Sequence, residues 1–303
     1  GTSTEPGTAA FVTSVPERSM HDEIARQLVE SGVRVILGGG EQFFLPEGEQ
    51  GVHGPGKRKD DLNLIELAKQ KGYAVVRTRD ELLNLSEGTD RVLGLFAADH
   101  IFNDMPEELL DVAGKPHYKA DAPTVAEMTQ AALDVLSAGG SRFLLVVEEE
   151  GTDNFGNVNN ASGMIQAMKR ADDAIGVART FVAENPRTLI LTAADSDGGG
   201  MRMIGLRPPA EGQEYPKTLP RWDYNGAPIH GVDGQGTKPY MAAPDRNGRQ
   251  WPFAIVWATR SDVTGGVLVK GEGLNSHLIR GNMDNTELTQ LMRLTLFGGT
   301  TPE

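Results

Sequence analysis

The feature that most constrains the fold is a pair of apolar segments that each run into a group of acidic residues. Residues 143–147 are five apolar side chains in a row, and carboxylates follow from Glu148. Residues 188–194 repeat this pattern and lead into Asp195-Ser196-Asp197. Continuous apolar runs of this length are typical of strands buried on both faces of a parallel sheet. Because ligand sites of open α/β sheets lie at the carboxyl ends of strands, both acidic groups are predicted to lie there.

Predicted helices alternate with predicted strands along the chain. Apolar side chains at steps of three and four predict helices, and the clearest of these, at 161–183, can be capped by Asn160 or Ser162. The predicted helices are 21–31, 62–71, 123–137, 161–183 and 285–297, and further strands are predicted at 33–37, 73–76, 92–96, 253–257 and 266–270. This alternation predicts an α/β fold with a mostly parallel central sheet and helices on both faces.

The length of 303 residues suits one large domain or two smaller ones. We predict a single domain over residues 1–303, interrupted by a long insertion at about 206–248. Seven of the 17 prolines lie between Pro208 and Pro244, together with many glycines, so this insertion is predicted to be irregular.

Composition excludes several classes of function. The net charge of −13 disfavours nucleic acid as a partner, because binding it requires a basic face. The chain has no cysteine, which excludes thiolate zinc sites and a cysteine nucleophile. No run of about 18 apolar residues occurs, so no membrane-spanning helix is predicted.

Six segments, in order along the chain, resemble segments of alkaline phosphatases. They are Leu37-Gly38-Gly39-Gly40-Glu41, Leu93-Gly94-Leu95-Phe96, Ala126-Glu127-Met128-Thr129, Val147-Glu148, Thr192-Ala193-Ala194-Asp195 and the run from His277 to Glu287. The resemblance implies a phosphomonoesterase that acts on small phosphate esters with a serine nucleophile, two zinc ions and one magnesium ion. It also implies a periplasmic or extracellular location, and it leaves a homodimer open.

The carboxylate ligands of the family are present in this sequence. By the resemblance, Glu148 corresponds to a magnesium-binding Glu, Asp153 to a zinc-binding Asp, and Asp195 to the Asp of an Asp-His pair that binds the second zinc. A magnesium-binding Thr of the family falls near Pro6-Gly7-Thr8.

The imidazole ligands of the family are replaced. The three histidine positions are occupied by Asn157, Ser196 and Val263. Zinc prefers nitrogen and sulfur ligands, whereas oxygen ligands suit Mg²⁺ or Ca²⁺. We therefore expect a divalent cation, Mg²⁺ or Ca²⁺ rather than zinc, with Ser261 or Asp262 as a further source of oxygen. The predicted ligands are Glu148, Asp153, Asn157, Asp195, Ser196 and Asp197.

The nucleophile has no assigned position in the chain. In the family it lies in an Asp-Ser-Ala segment upstream of the matched region, so the N-terminal part of the family fold is predicted to be missing. Ser196 is a poor substitute, because two flanking carboxylates raise its pKa unless a metal is bound. Two hypotheses stay open: a divergent metal-dependent phosphomonoesterase, or a relative that binds a cation or ligand without turnover.

Overall fold

The computed structural model describes residues 1–263 and 265–298. The helices in these residues are α1 Pro6–Ala9, α2 His21–Ser31, α3 Leu64–Gln70, α4 Arg79–Leu83, α5 Glu107–Leu110, α6 Val125–Ser137, α7 Gly151–Asn157, α8 Ala161–Glu184 and α9 Asn285–Phe297. The strands are β1 Val35–Gly38, β2 Ala74–Val76, β3 Val92–Leu95, β4 Leu189–Thr192, β5 Asp197–Gly198, β6 Arg202–Gly205, β7 His230–Gly231, β8 Gly234–Gln235, β9 Tyr240–Met241, β10 Pro252–Val256, β11 Asp262–Val263 and β12 Lys270–Gly273.

The chain groups into two compact units, each built from separate stretches of sequence. The first unit contains Gly1–Glu149, Arg170–Thr192 and Val269–Glu303. The second contains Glu150–Lys169 and Ala193–Leu268. The single domain predicted from the sequence stays a prediction, and each unit is described by itself.

The first unit contains a parallel sheet in the order β1-β3-β2. Leu93 in the central strand lies between Ile36 and Val75, and every residue of β3 is buried. A strand covered on both faces has no solvent-facing side, which explains why its sequence is apolar without alternation.

Helices cover both faces of this sheet, as predicted. On one face, Ile36 and Leu93 belong to the same core as Leu28 of α2 and Ile65 of α3. On the other face, the core combines Val92 with side chains of α4 and α6, among them Leu82, Val135 and Met128. Successive side chains of a strand point to opposite faces, so neighbouring residues of β1 and β3 supply the two cores.

Several helices begin where the sequence predicts, because local hydrogen bonds fix their first turns. Asp284 accepts a hydrogen bond from Thr286 N at 2.9 Å, and Glu287 closes a capping box back onto Asp284 N. Asn160 accepts one from Gly163 N at 3.0 Å at the start of α8. Such caps use only residues two or three positions apart, so they can be predicted from sequence.

Two strand predictions are wrong. Residues 141–149 form neither strand nor helix, and Leu144 and Val147 are about half exposed. The strand predicted at 266–270 begins only at Lys270 and pairs antiparallel with β4. An apolar run fixes neither its pairing partner nor its burial, so sequence alone could not settle either point.

The second unit contains an antiparallel sheet in the order β6-β10-β7-β8, with β9 also paired to β10. The predicted insertion at 206–248 lies in this unit and is largely irregular, apart from the two-residue strands β7, β8 and β9. Pairing of β7 and β9 with β10 attaches the irregular stretch to that strand, and β8 pairs with β7.

None of the helices in residues 1–263 and 265–298 combines the length and hydropathy needed to cross a membrane.

Candidate metal centre

Helix α7 places two of the predicted ligands on one face. Asp153 and Asn157 are four residues apart, a spacing that brings side chains together on a helix. The Asn157 side chain donates a hydrogen bond from Nδ2 to Asp153 Oδ1 at 3.2 Å. It donates a second from Nδ2 to Asp262 Oδ1 at 2.9 Å. Asp153, Asn157 and Asp262 form what we call the oxygen cluster.

Strand pairing brings Asp262 to this position. Strand β11 runs antiparallel to β5, with Asp262 opposite Gly198 and Val263 opposite Asp197. Val263, which the resemblance sets at a histidine position, lies close to Gly200, and its hydrocarbon side chain offers no ligand atom. Its neighbour Asp262 faces Asn157 instead. Of the two residues considered as a replacement oxygen source, Asp262 is the one whose side chain joins the cluster.

Glycines let α7 lie directly on β5 in the second unit. A Cβ atom on Gly156 would lie 2.6 Å from the carbonyl oxygen of Gly198, and one on Gly198 would lie 3.0 Å from Asp153 Oδ1. Gly199 and Gly200 adopt left-handed conformations, with φ of +67° and +59°, which residues with a Cβ rarely adopt. The buried glycine turn therefore sets the distance between the helix and the strand.

The remaining predicted ligands have different surroundings. Asp197 accepts a hydrogen bond from Arg202 Nη1 at 2.6 Å, so a guanidinium balances its charge. Asp195 lies exposed at a bend and Ser196 is half-buried beside it. Within the described residues, neither side chain hydrogen bonds to the oxygen cluster. Sequence reasoning placed all of them together because it treated adjacent carboxylates at a strand end as one group.

Glu148 belongs to the first unit. A Cβ atom on Gly7 would overlap its carboxylate, at 1.8 Å from Oε1. The Glu148 carboxylate thus lies against the Pro6-Gly7-Thr8 segment, which the resemblance also associates with magnesium.

The Glu149 carboxylate is buried, whereas a charged residue at the end of a strand is usually exposed to solvent. The carboxylate is 6% exposed and lies 3.5 Å from Arg170 Nε. The Arg170 guanidinium lies over the Tyr118 ring at 4.6 Å from its centroid and over Phe102 at 5.7 Å. Burial and the nearby Glu149 carboxylate raise the pKa of the Tyr118 phenol. Sequence reasoning missed Arg170 and Tyr118, because nothing in local spacing links them to Glu149.

The second unit contains one histidine, His230, and it is engaged elsewhere. Trp257 Nε1 donates a hydrogen bond to His230 Nδ1 at 2.9 Å, so this nitrogen must be unprotonated. Burial lowers the pKa of His230. His230 therefore supplies no nitrogen ligand to the oxygen cluster, whose possible metal ligands are the oxygen atoms of Asp153, Asn157 and Asp262.

This pairing predicts a pH dependence of stability. Because the folded state lowers the pKa of His230, the neutral ring stabilises the fold fully above the unfolded value of about 6.5. That contribution is lost as the pH falls from there through the lowered pKa. We expect the urea midpoint of the wild type to fall between pH 7 and pH 5, and that of His230→Gln to fall less. The exposed His277 provides the control, since His277→Gln should retain the wild-type profile.

Comparison with known proteins decides the family. The family model described as alkaline phosphatase matches residues 8–297. The chain belongs to the alkaline phosphatase family. Alkaline phosphatase of Schizosaccharomyces pombe is 25% identical over 97% of this chain. The tissue-nonspecific isozyme of Felis catus is 27% identical over 89% of it. The chain spans 61% of the length of the first relative and 54% of the second.

Solved alkaline phosphatases share the fold. The enzyme of the Antarctic bacterium TAB5 has a TM-score of 0.68 at 19% identity, over 99% of this chain and 71% of its own. The Thermus thermophilus enzyme has a TM-score of 0.57 at 34% identity, over 67% of this chain and 39% of its own. A TAB5 variant in which a histidine is replaced by aspartate is described with Mg bound in its M3 site; it has a TM-score of 0.66 at 20% identity, over 97% of this chain and 69% of its own. The predicted α/β fold of the alkaline phosphatase type is confirmed.

Proposed function

We propose that this chain is a metal-dependent phosphomonoesterase whose cation is held by the oxygen cluster. The observation that carries the proposal is the position of the Asn157 amide, within hydrogen-bond distance of both Asp153 and Asp262. All three side chains lie at or beside positions that bind metal in the family. Their convergence supports a retained centre in which oxygen replaces imidazole.

The donor set fits a hard cation. The Asn157 Oδ1 atom is buried and has no hydrogen-bond partner among the described residues. A half-turn of the amide would exchange Oδ1 for Nδ2 and turn the Asn157 oxygen towards the carboxylates of Asp153 and Asp262. Carboxylate and amide oxygens suit Mg²⁺, Ca²⁺ or Mn²⁺, whereas zinc prefers nitrogen and sulfur. A bound cation of this kind polarises a phosphoryl oxygen and stabilises the negative charge that develops on it.

The chain's own residues then have distinct roles. Asp153 and Asp262 hold the charge that attracts the cation, and Asn157 aligns them. Arg202 keeps Asp197 neutralised, which limits repulsion beside the cluster. Ser196 lies between Asp195 and Asp197, whose negative charges disfavour its alkoxide. Ser196 is therefore not proposed as the nucleophile.

A second function, cation or ligand binding without turnover, is favoured by the same hydrogen bonds. The Asn157 amide donates a hydrogen bond to each of the two carboxylates, and Arg202 balances Asp197. These contacts hold the side chains together in the absence of an ion. A phosphate-ester substrate, a periplasmic or extracellular location and a homodimer remain proposals that rest on family membership.

The two functions predict different outcomes of one experiment. Cation binding is measured by calorimetry on chelator-treated protein, and turnover is measured with p-nitrophenyl phosphate. We expect Mg²⁺ or Mn²⁺ to bind and to restore hydrolysis, and zinc to restore less. Cation binding without hydrolysis would favour the non-catalytic function. If the protein neither binds a cation nor hydrolyses the ester, both functions are contradicted.

A further inference from the structure

A groove of about 210 Å³ lies in the second unit, and no step of the proposed chemistry uses it. The residues that line it include Trp222, Asn225 and Pro228 from one stretch, Thr259 and Arg260 from another, and Asn159. Small-molecule pockets that enclose a drug-sized ligand usually measure about 300–1,000 Å³. This groove is smaller, so it suits one ring of a ligand rather than a whole molecule.

Trp222 lies in a hydrogen-bonded hairpin. Trp222 pairs with Pro228 in an antiparallel bridge, and Asp223 N donates to the Ala227 carbonyl at 2.9 Å. Asn225 Nδ2 donates to the carbonyl of the buried Trp257 at 2.9 Å, which attaches the hairpin tip to the core. Trp222 is nevertheless 57% exposed, and no aromatic ring in the described residues stacks on it. An exposed indole in a hydrogen-bonded hairpin can stack on a planar ligand.

Asn159 and Arg260 add polar and cationic groups to the lining of the groove. Asn159 is 4% exposed, and in the amide orientation that satisfies its hydrogen bonds it donates to the Thr259 carbonyl at 2.7 Å. Arg260 is exposed, and its guanidinium forms no ion pair with any carboxylate of residues 1–263 and 265–298. In a chain with net charge −13, an unpaired guanidinium beside a groove attracts anions that the rest of the surface repels.

Residues that line the groove are close in sequence to the oxygen cluster, within the second unit. Asn159 follows Asn157 by two residues, and Arg260 precedes Asp262 by two. The backbone nitrogens of Ala258 and Thr259 donate to the Gly199 carbonyl at 3.1 and 3.2 Å. Two residues span at most about 7 Å, so a ligand whose phosphoryl group lies at the cluster can extend its ester group towards the residues that line the groove.

We propose that this groove binds the aromatic ring of the ester group, so that the preferred substrates are aryl or heteroaryl phosphates. Trp222 stacks on the ring and Arg260 attracts the phosphate anion. That the bound ester is a substrate rests on the proposed function, but the groove itself can be tested as a binding site without turnover.

The test uses two phosphonates that are not hydrolysed, phenylphosphonate and methylphosphonate, with affinities measured by calorimetry in the presence of Mg²⁺. Loss of one stacking contact by alanine substitution is worth roughly a tenfold change in affinity. We expect the wild type to bind phenylphosphonate about tenfold more tightly than methylphosphonate. Trp222→Ala should abolish this preference, and Trp222→Phe should keep most of it, which separates stacking from misfolding. Arg260→Gln should weaken both ligands equally.

Trp251 provides the matched control, because it is also exposed but lies outside the groove, where Nε1 donates to Asp245 Oδ2 at 3.2 Å. Trp251→Ala should keep the wild-type preference. Equal affinity for the two phosphonates, binding of neither, or a preference that survives Trp222→Ala would overturn the proposal that the groove binds an aromatic ring. A Trp222-dependent preference in a chain that hydrolyses no phosphate ester would overturn the proposed function and leave the groove as a binding site.

Discussion

Asp153→Asn is expected to lower cation affinity and cation-dependent phosphate-ester hydrolysis by at least about 10-fold. Replacing a group that only supports a metal ligand costs 10- to 100-fold in affinity or activity, so losing a charged ligand should cost no less. The substitution keeps the shape of the side chain and an oxygen that accepts from Asn157 Nδ2, now 3.2 Å away. It removes one negative charge from a cluster that contains two. We therefore expect the cation site to weaken while the fold is retained.

The measurement is a calorimetric titration with Mg²⁺ or Mn²⁺, together with hydrolysis of p-nitrophenyl phosphate at saturating cation. Asp262→Asn should behave in the same way, because Asp262 lies 2.9 Å from the same amide. Asp172→Asn is the control, since Asp172 is exposed on α8 and its substitution changes the net charge by the same amount as Asp153→Asn. Wild-type cation affinity in both Asp153→Asn and Asp262→Asn would show that the cation, if bound, is held elsewhere.

Arg58→Ala is expected to have the largest effect on stability, a loss of roughly 3 kcal/mol in the free energy of unfolding. The Arg58 side chain is fully buried. Its Nη1 donates to the backbone carbonyls of Asp22 and Phe43, each at 2.8 Å, and Nε donates to Asp60 Oδ1 at 3.0 Å. Removing the guanidinium leaves two carbonyls without a donor and opens a cavity between α2 and the loop at 43–60.

Urea unfolding followed by circular dichroism measures this loss. Arg58→Lys should lose less of the free energy of unfolding, because an ammonium keeps the charge and part of the volume. It should still lose some, because an ammonium cannot donate in the planar arrangement of the guanidinium. Arg187→Ala is the control, since Arg187 is exposed in the same unit. A loss below about 1 kcal/mol for Arg58→Ala would mean that water or neighbouring groups replace its hydrogen bonds.

The spacing of Asp153 and Asn157 could be read from the sequence, because one helical turn brings such residues together. The contact between Asn157 and Asp262 could not, because 105 positions separate them and only the pairing of β5 with β11 brings them together. Ser261 and Asp262 looked equivalent in the sequence, and strand register distinguishes them. The pairing of Asp197 with Arg202 depends on the same β5 segment and was likewise missed.

The sequence alone determined the elements whose causes are local. Capping boxes fixed the starts of α6 and α9, and helical periodicity fixed the apolar stripes. The alternation of apolar strands with helices indicated the α/β class, and six short segments indicated the family. Only the tertiary structure decided that residues 143–147 form no strand, that Glu149 is buried against Arg170, and that Asp262 completes the oxygen cluster. Those features depend on contacts between distant parts of the chain, whose register and burial no local pattern of side chains specifies.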